Sequence, residues 1–340
     1  MFKPDRILFE QDALTYPKGE KLYQEFKEKG EKIEILNTAN RVTSIPGENK
    51  REKYENAKKT LVVGVRKTLK FENCKPSAHY QLPLVTGCMG MCEYCYLNTN
   101  LATRSYIRVY VNTDEILEKA KEYIEERSPE ITIFEGAATS DPTPVEEYTH
   151  NLADTITFLG EEEKGRFRFV TKYPYIDSLL SLNHNGHTEI RFSLNTQYII
   201  KEYEHKTASM QKRIEAIGKV KKAGYPVGVI LAPVFFYENW KEEYLELLKT
   251  LKGELEKKNL GTDISFEIIT HRYTLNAKNK IQEFYPETTL PMKEEERRFQ
   301  YGQFGYGKYL YPKEKIEEAK QFFQKEIETL FTDAKILYMI

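Results

Sequence analysis

Cys88, Cys92 and Cys95 fall within eight residues, spaced C-x3-C-x2-C, in the run Gly87-Cys88-Met89-Gly90-Met91-Cys92-Glu93-Tyr94-Cys95-Tyr96. Three thiolates this close can hold three corners of an iron–sulfur cube, whose irons are normally bound by cysteine sulfur, commonly four. An iron without a protein ligand would then be open to a small molecule. Gly87 and Gly90 are read as permitting the tight backbone that lets the sulfurs converge. A structural zinc site is the first rival, but it asks for four tetrahedral ligands, usually from paired cysteine or cysteine–histidine clusters. Here only Cys74, with His79 beside it, remains to be recruited. Disulfides would need an oxidising compartment, and four cysteines with three clustered do not form a secreted framework.

The rest of the composition is that of an ordinary globular chain. Its 340 residues suffice for one large α/β domain or two smaller ones. A net charge of −1 gives no electrostatic footprint for nucleic acid, and pairs such as Arg166 with Arg168 or Arg297 with Arg298 read as solvated faces. No apolar stretch is long enough to span a bilayer, and the first residues lack a signal-peptide pattern. A cytoplasmic location is the expectation.

Patterning divides the chain into an N-terminal layer (1–80), a central α/β domain (81–273) and a C-terminal extension (274–340). The first fifty residues, broken by Pro17, Gly19, Gly30, Pro46 and Gly47, read as irregular apart from one amphipathic helix over 19–29. A β-branched run predicts a buried strand over 61–65, and another extended segment falls at 106–111. Asn112 and Glu115 have capping-box spacing ahead of a helix that puts Ile116, Leu117, Ala120 and Ile124 on one face. Strands are then expected at 81–87, 131–138, 166–171, 189–194, 226–232 and 264–269, alternating with helices such as 211–223 and 240–257. About six βα units imply a parallel sheet between helices. In βα barrels the functional residues gather at the C-terminal strand ends. Those ends carry Cys88, Ser140 and Asp141, Lys172, Ser193 and Asn195, Pro233, and His271 with Arg272. The tail holds a Gly/aromatic, hinge-like run over 301–309, and Pro312 opens a helix with Ile316, Ala319, Phe322, Phe323 and Ile327 inward.

The cysteine spacing resembles that of the radical S-adenosylmethionine (SAM) enzymes. That resemblance implies a partial (β/α)6 barrel with an N-terminal layer and a C-terminal helical extension. It also implies a [4Fe–4S] cluster on Cys88, Cys92 and Cys95, and SAM on the open iron, cleaved reductively to a 5′-deoxyadenosyl radical. The likeness becomes specific in Thr60-Leu-Val-Val-Gly-Val-Arg66, Cys74-Lys-Pro-Ser-Ala-His-Tyr80, Ile107-Arg-Val-Tyr-Val-Asn112, Phe169-Val-Thr-Lys-Tyr173, His271-Arg272 and Gly307-Lys-Tyr309. In order along nearly the whole chain, these resemble the spore photoproduct lyases, which open a methyl-bridged thymine dimer in DNA. The resemblance implies that Tyr94, Ser140, Asp141, Lys172, Ser193 and Asn195 line the SAM site. In that site Tyr94 would lie beside the adenine and Lys172 on the SAM carboxylate. It implies a part for Tyr96 in hydrogen-atom return, against the alternative of a packed aromatic with its hydroxyl bonded. The implied partners are an electron donor such as flavodoxin or ferredoxin and DNA, for a protein acting as a monomer away from membranes.

One departure bears on the chemistry. Where the family has a hydrogen-donating cysteine, Glu135-Gly-Ala-Ala-Thr-Ser-Asp141 places Ala138, and a methyl group cannot give up hydrogen as a thiol does. Pro142-Thr143-Pro144 and Gln303-Phe304 also differ, the latter standing where an Arg-Tyr pair is expected. Cys74 occupies a position that can be serine and reads as an incidental thiol. The expectation is therefore a divergent paralogue with altered or lost dimer repair. A non-catalytic DNA-lesion binder that retains the cluster scaffold is the alternative.

Overall fold

The computed structural model describes residues 1–37, 42–302, 305 and 307–340. They form two compact units, one of Met1–Gly90, Leu101–Thr171 and Tyr175–Glu189, the other of Met91–Asn100, Lys172–Pro174 and Ile190–Ile340.

The first unit contains a regular sheet where the sequence suggested an irregular layer. Strands Ile33–Leu36, Arg6–Glu10, Thr60–Gly64 and Ile107–Tyr110 run parallel in that order, and Val85–Thr86 closes the edge antiparallel. The run Arg6-Ile-Leu-Phe-Glu10 escapes pattern reading because Ile7, Leu8 and Phe9 are all buried and no alternation appears. Helix Pro17–Glu28, with proline in its first turn, buries Leu22 and Phe26. Strands Tyr80–Gln81, Thr132–Glu135 and Gly165–Thr171 form a second parallel set, joined in part by helix Asn151–Glu161. Helix Thr113–Arg127 buries Ile116, Leu117, Ala120 and Ile124 as its period predicted. The capping box ahead of it is not made. Asn112 Oδ1 accepts from the Arg66 N–H at 2.8 Å, and the Asn112 amide reaches the Glu115 carboxylate at 2.7 Å.

In the second unit the strand Thr188–Leu194, which enters at Ile190, pairs with Val227–Val234, and this in turn with Ser265–Thr270, all parallel. Phe192, Val229 and Phe266 lie in register as buried residues between the helices. Helices Met210–Lys222, Trp240–Lys257 and Leu275–Phe284 separate the strands, with Ser209 and Thr274 capping the first and last through their hydroxyls. An unanticipated strand, Lys335–Met339, adds to Ser265–Thr270. The C-terminal helix Lys313–Leu330 buries Ala319, Phe323 and Ile327, and Phe322 packs on Trp240. The Gly/aromatic run is not a hinge at its described ends. Arg298–Tyr301 and Gly307–Leu310 pair as an antiparallel hairpin. Gln303 and Phe304, singled out from sequence, lie outside the described residues. Arg168 and Arg297 are not solvated faces: Arg168 bonds the Ser77 carbonyl and Glu189, and Arg297 lies 3.4 Å above the Tyr311 ring.

Candidate cofactor site

The cysteine loop begins in the first unit. Gly87 has φ +86°, and a Cβ there would stand 2.3 Å from the Tyr106 carbonyl oxygen, so only glycine delivers Cys88 by this path. Gly90 lacks that conformation. Its contribution is an N–H donated to Cys88 Sγ at 3.3 Å. The buried Lys58 donates to the carbonyls of Cys88 at 2.7 Å and Gly90 at 2.9 Å, fixing both ends of the turn. No sequence pattern pointed to Lys58.

Cys92 and Cys95 belong to the second unit. Met91–Cys92 pairs antiparallel with Glu204–His205, which sets Cys92 opposite Glu204. The Asn98 amide caps the Cys92 carbonyl at 3.1 Å. Cys95 directly precedes the short helix Tyr96–Leu101. None of the four cysteines is in a disulfide.

Two of the expected SAM-site residues, Lys172 and Tyr94, converge in the second unit on a residue the sequence did not flag, and Ser193 joins them through Lys172. The side chain of Glu204 is wholly buried. Its Oε1 accepts from Lys172 Nζ at 2.7 Å and from the Tyr94 hydroxyl, and its Oε2 accepts from Arg213 Nη2 at 2.6 Å. Lys172 Nζ also donates to the Tyr94 and Ser193 hydroxyl oxygens, each at 3.0 Å. Burial by itself would raise the Glu204 carboxyl, but Arg213 and then Lys172 outweigh it and hold it down at about 2. Burial, with the Glu204 charge adding to it, pushes the Tyr94 phenol well above its usual range, so Tyr94 serves as a donor.

The other expected residues have hydrogen-bond partners within their own units. Asn195, fully buried, donates to the Pro233 carbonyl at 2.9 Å and accepts from the Tyr244 hydroxyl at 2.7 Å. In the first unit Asp141 accepts from the Thr143 hydroxyl at 2.9 Å and the Thr171 hydroxyl at 3.0 Å. Ser140 forms a bridge with Gly87, so the Ser140-Asp141 turn is laid beside the entry to the cysteine loop. Tyr96, the first residue of that short helix, is 59% exposed.

Among the described residues no group of three or more His, Cys, Asp or Glu side chains is arranged to hold a metal ion. The local chemistry nevertheless suits cluster thiolates. The Gly90 N–H is directed at Cys88 sulfur, and such hydrogen bonds are among the levers that set cluster potentials.

The spore photoproduct lyase family model matches residues 2–340. The chain is similar to the spore photoproduct lyase of Clostridium acetobutylicum, 51% identical over 335 residues and 98% of each chain. It is also similar to that of Bacillus subtilis, 46% identical over 337 residues, 99% of this chain and 98% of the other. A solved spore photoproduct lyase double mutant with bound AdoMet and dinucleoside spore photoproduct superposes with TM-score 0.96 at 47% identity, covering 100% of this chain and 99% of that one. A second structure, complexed with dinucleoside spore photoproduct, gives TM-score 0.96 at 46% identity, with the same coverage. Fold and sequence thus place the chain among the radical SAM lyases, and the expected α/β partial-barrel class holds. It belongs to the spore photoproduct lyase family. No helix among the described residues is long and apolar enough to cross a membrane.

Proposed function

We propose that this chain opens the spore photoproduct in DNA, with a [4Fe–4S] cluster on Cys88, Cys92 and Cys95 and SAM at the remaining iron. When bound, the cluster supplies the electron that converts SAM into the 5′-deoxyadenosyl radical, and the protein supplies binding, orientation and exclusion of water. The observation that carries this reading is the cysteine triad within a chain that matches the family over its full length. Tyr94, Ser140, Asp141, Lys172, Ser193 and Asn195 are proposed to line the SAM site. Lys172 acts as a point charge for the SAM carboxylate and Tyr94 sits beside the adenine. Asn195, bonded on both sides, shapes the wall rather than reaching far. A flavodoxin or ferredoxin in the cytoplasm is the proposed electron source, and the protein acts as a monomer. The division 1–80, 81–273 and 274–340 is kept as the proposed functional layout.

Hydrogen return needs a donor other than Ala138, and we propose Cys74, which revises its reading as an incidental thiol. The double mutant with AdoMet replaces one cysteine by alanine and one serine by cysteine, as far apart in its chain as Ala138 and Cys74 are here. Ser77, in the same loop as Cys74, donates to Glu135 at 2.9 Å, near the strand end that leads to Ala138. On this reading the thiol hands its hydrogen atom to the product radical, the thiyl radical left behind takes one from the Tyr96 hydroxyl, and the external electron donor with a proton from water restores the phenol, so that repair is retained rather than lost.

The test is anaerobic reconstitution with iron and sulfide, then dithionite and SAM, with and without an oligonucleotide containing the photoproduct. Deoxyadenosine formation and restored thymines are expected. Lesion binding without deoxyadenosine would favour the non-catalytic alternative.

A further inference from the structure

We propose that Glu204 is the positioning residue of the SAM site, a buried carboxylate that fixes Lys172 and Tyr94. This inference rests on the reading of Lys172 as the partner of the SAM carboxylate. A buried carboxylate is costly unless paired, and Glu204 is paired twice, with Arg213 on one oxygen and Lys172 on the other. Arg213 holds one oxygen of that carboxylate. It is wholly buried and spends its donors on the Ala208 and Ser193 carbonyls at 2.9 Å each, the Thr207 hydroxyl at 2.7 Å and Glu204. Lys172 holds the other oxygen, and 18% of its side chain is exposed.

The geometry also fixes direction. Lys172 Nζ donates to Glu204, the Tyr94 hydroxyl and the Ser193 hydroxyl. An arriving carboxylate would displace a neutral hydroxyl while the charged bond to Glu204 keeps the stem in place, charge-assisted bonds being the stronger. The ladder that sets Glu204 opposite Cys92 ties this carboxylate to the cysteine segment itself. A purely structural role would stop at Arg213; the split of the two oxygens between Arg213 and Lys172 goes further.

The test measures equilibrium binding of SAM and of its decarboxylated analogue to the anaerobically reconstituted protein and to the variants Glu204→Gln, Lys172→Met and their combination. Glu204→Gln is expected to weaken SAM at least about tenfold while shifting the decarboxylated analogue less than about twofold, and Lys172→Met to do the same. The double variant should bind SAM no more weakly than Lys172→Met alone, since contacting residues of one network are not additive. Should Glu204→Gln fail to fold, Glu204→Asp must show the same split at smaller size. A Glu204 variant that binds SAM as the parent does, or that loses both ligands equally, overturns the inference while Lys172→Met still discriminates them. If Lys172→Met itself leaves SAM binding unchanged, the underlying reading of the site is what fails.

Discussion

Lys58, on the residue that closes helix Lys50–Ala57, holds the carbonyls of Cys88 and Gly90 at 2.7 and 2.9 Å and so sets the first turn of the cysteine loop. Replacing it by methionine would leave two carbonyls of that turn without their cation. Each buried group so stranded costs about 1–3 kcal/mol. Lys58→Met is therefore expected to lower the melting temperature and to reduce iron retained after reconstitution. Unchanged thermal unfolding and full iron loading would show that the ammonium is dispensable.

Removing one cluster thiolate tests the metal assignment. Cys88→Ala, Cys92→Ala and Cys95→Ala should each give protein with little iron and sulfide and no visible absorbance after anaerobic loading, and no reductive SAM cleavage. Cys74→Ala should load normally. A coloured, SAM-cleaving Cys92→Ala protein would mean that the ligand set has been misread.

Hydrogen return can be separated from radical formation. Cys74→Ala is expected to keep deoxyadenosine formation and dimer opening but to divert product to by-products, and Ala138→Cys added to it should restore thymine. Product analysis by chromatography decides the matter. Clean repair by Cys74→Ala alone would exclude this thiol as the donor.

Tyr96 is exposed, so Tyr96→Phe should alter stability by no more than about 0.5 kcal/mol, as expected for a surface change. If its hydroxyl takes part in the return, the variant will nonetheless show slower turnover and more by-product. Identical product ratios in the two proteins would argue against that part.

Two buried glutamates give opposite pH dependences. Burial raises Glu146 from 4.5 to about 7 despite the N–H groups of Leu152 and Ala153 at its carboxylate. The folded state thus binds this proton more tightly than the unfolded chain. Stability from this group is full below pH 4.5 and falls as pH rises through about 7, by roughly 3 kcal/mol at most. Glu204, depressed to about 2, contributes above its unfolded value and loses that contribution only as pH falls toward 2. Between about pH 5 and pH 8 the Glu146 effect should dominate. Denaturant midpoints ought to decline over that interval in the parent and flatten in Glu146→Gln. Equal slopes would show that Glu146 ionises in the folded protein as it does in the unfolded one.

The sequence by itself determined the C-x3-C-x2-C spacing, the strand and helix alternation from residue 131 onward, and the buried faces of helices such as Thr113–Arg127. All of these are written in spacing or period, which are local properties of the chain. It also singled out Tyr94 through its likeness to a family, and Lys172 and Ser193 through that likeness and their places at strand ends. Only the tertiary structure decided what joins them. Glu204 sits in an unremarked Glu-His pair, and nothing near it in sequence announces a buried carboxylate. Its partners are 110, 32 and 9 residues away at Tyr94, Lys172 and Arg213. Lys58 reaches across 30 residues to Cys88 in the same manner. The partner of a buried charge is chosen by packing between segments distant in the chain, so no local pattern carries it. The strand Arg6–Glu10 was hidden for a related reason: with Ile7, Leu8 and Phe9 all buried, it shows no alternation for a reader of the sequence to detect.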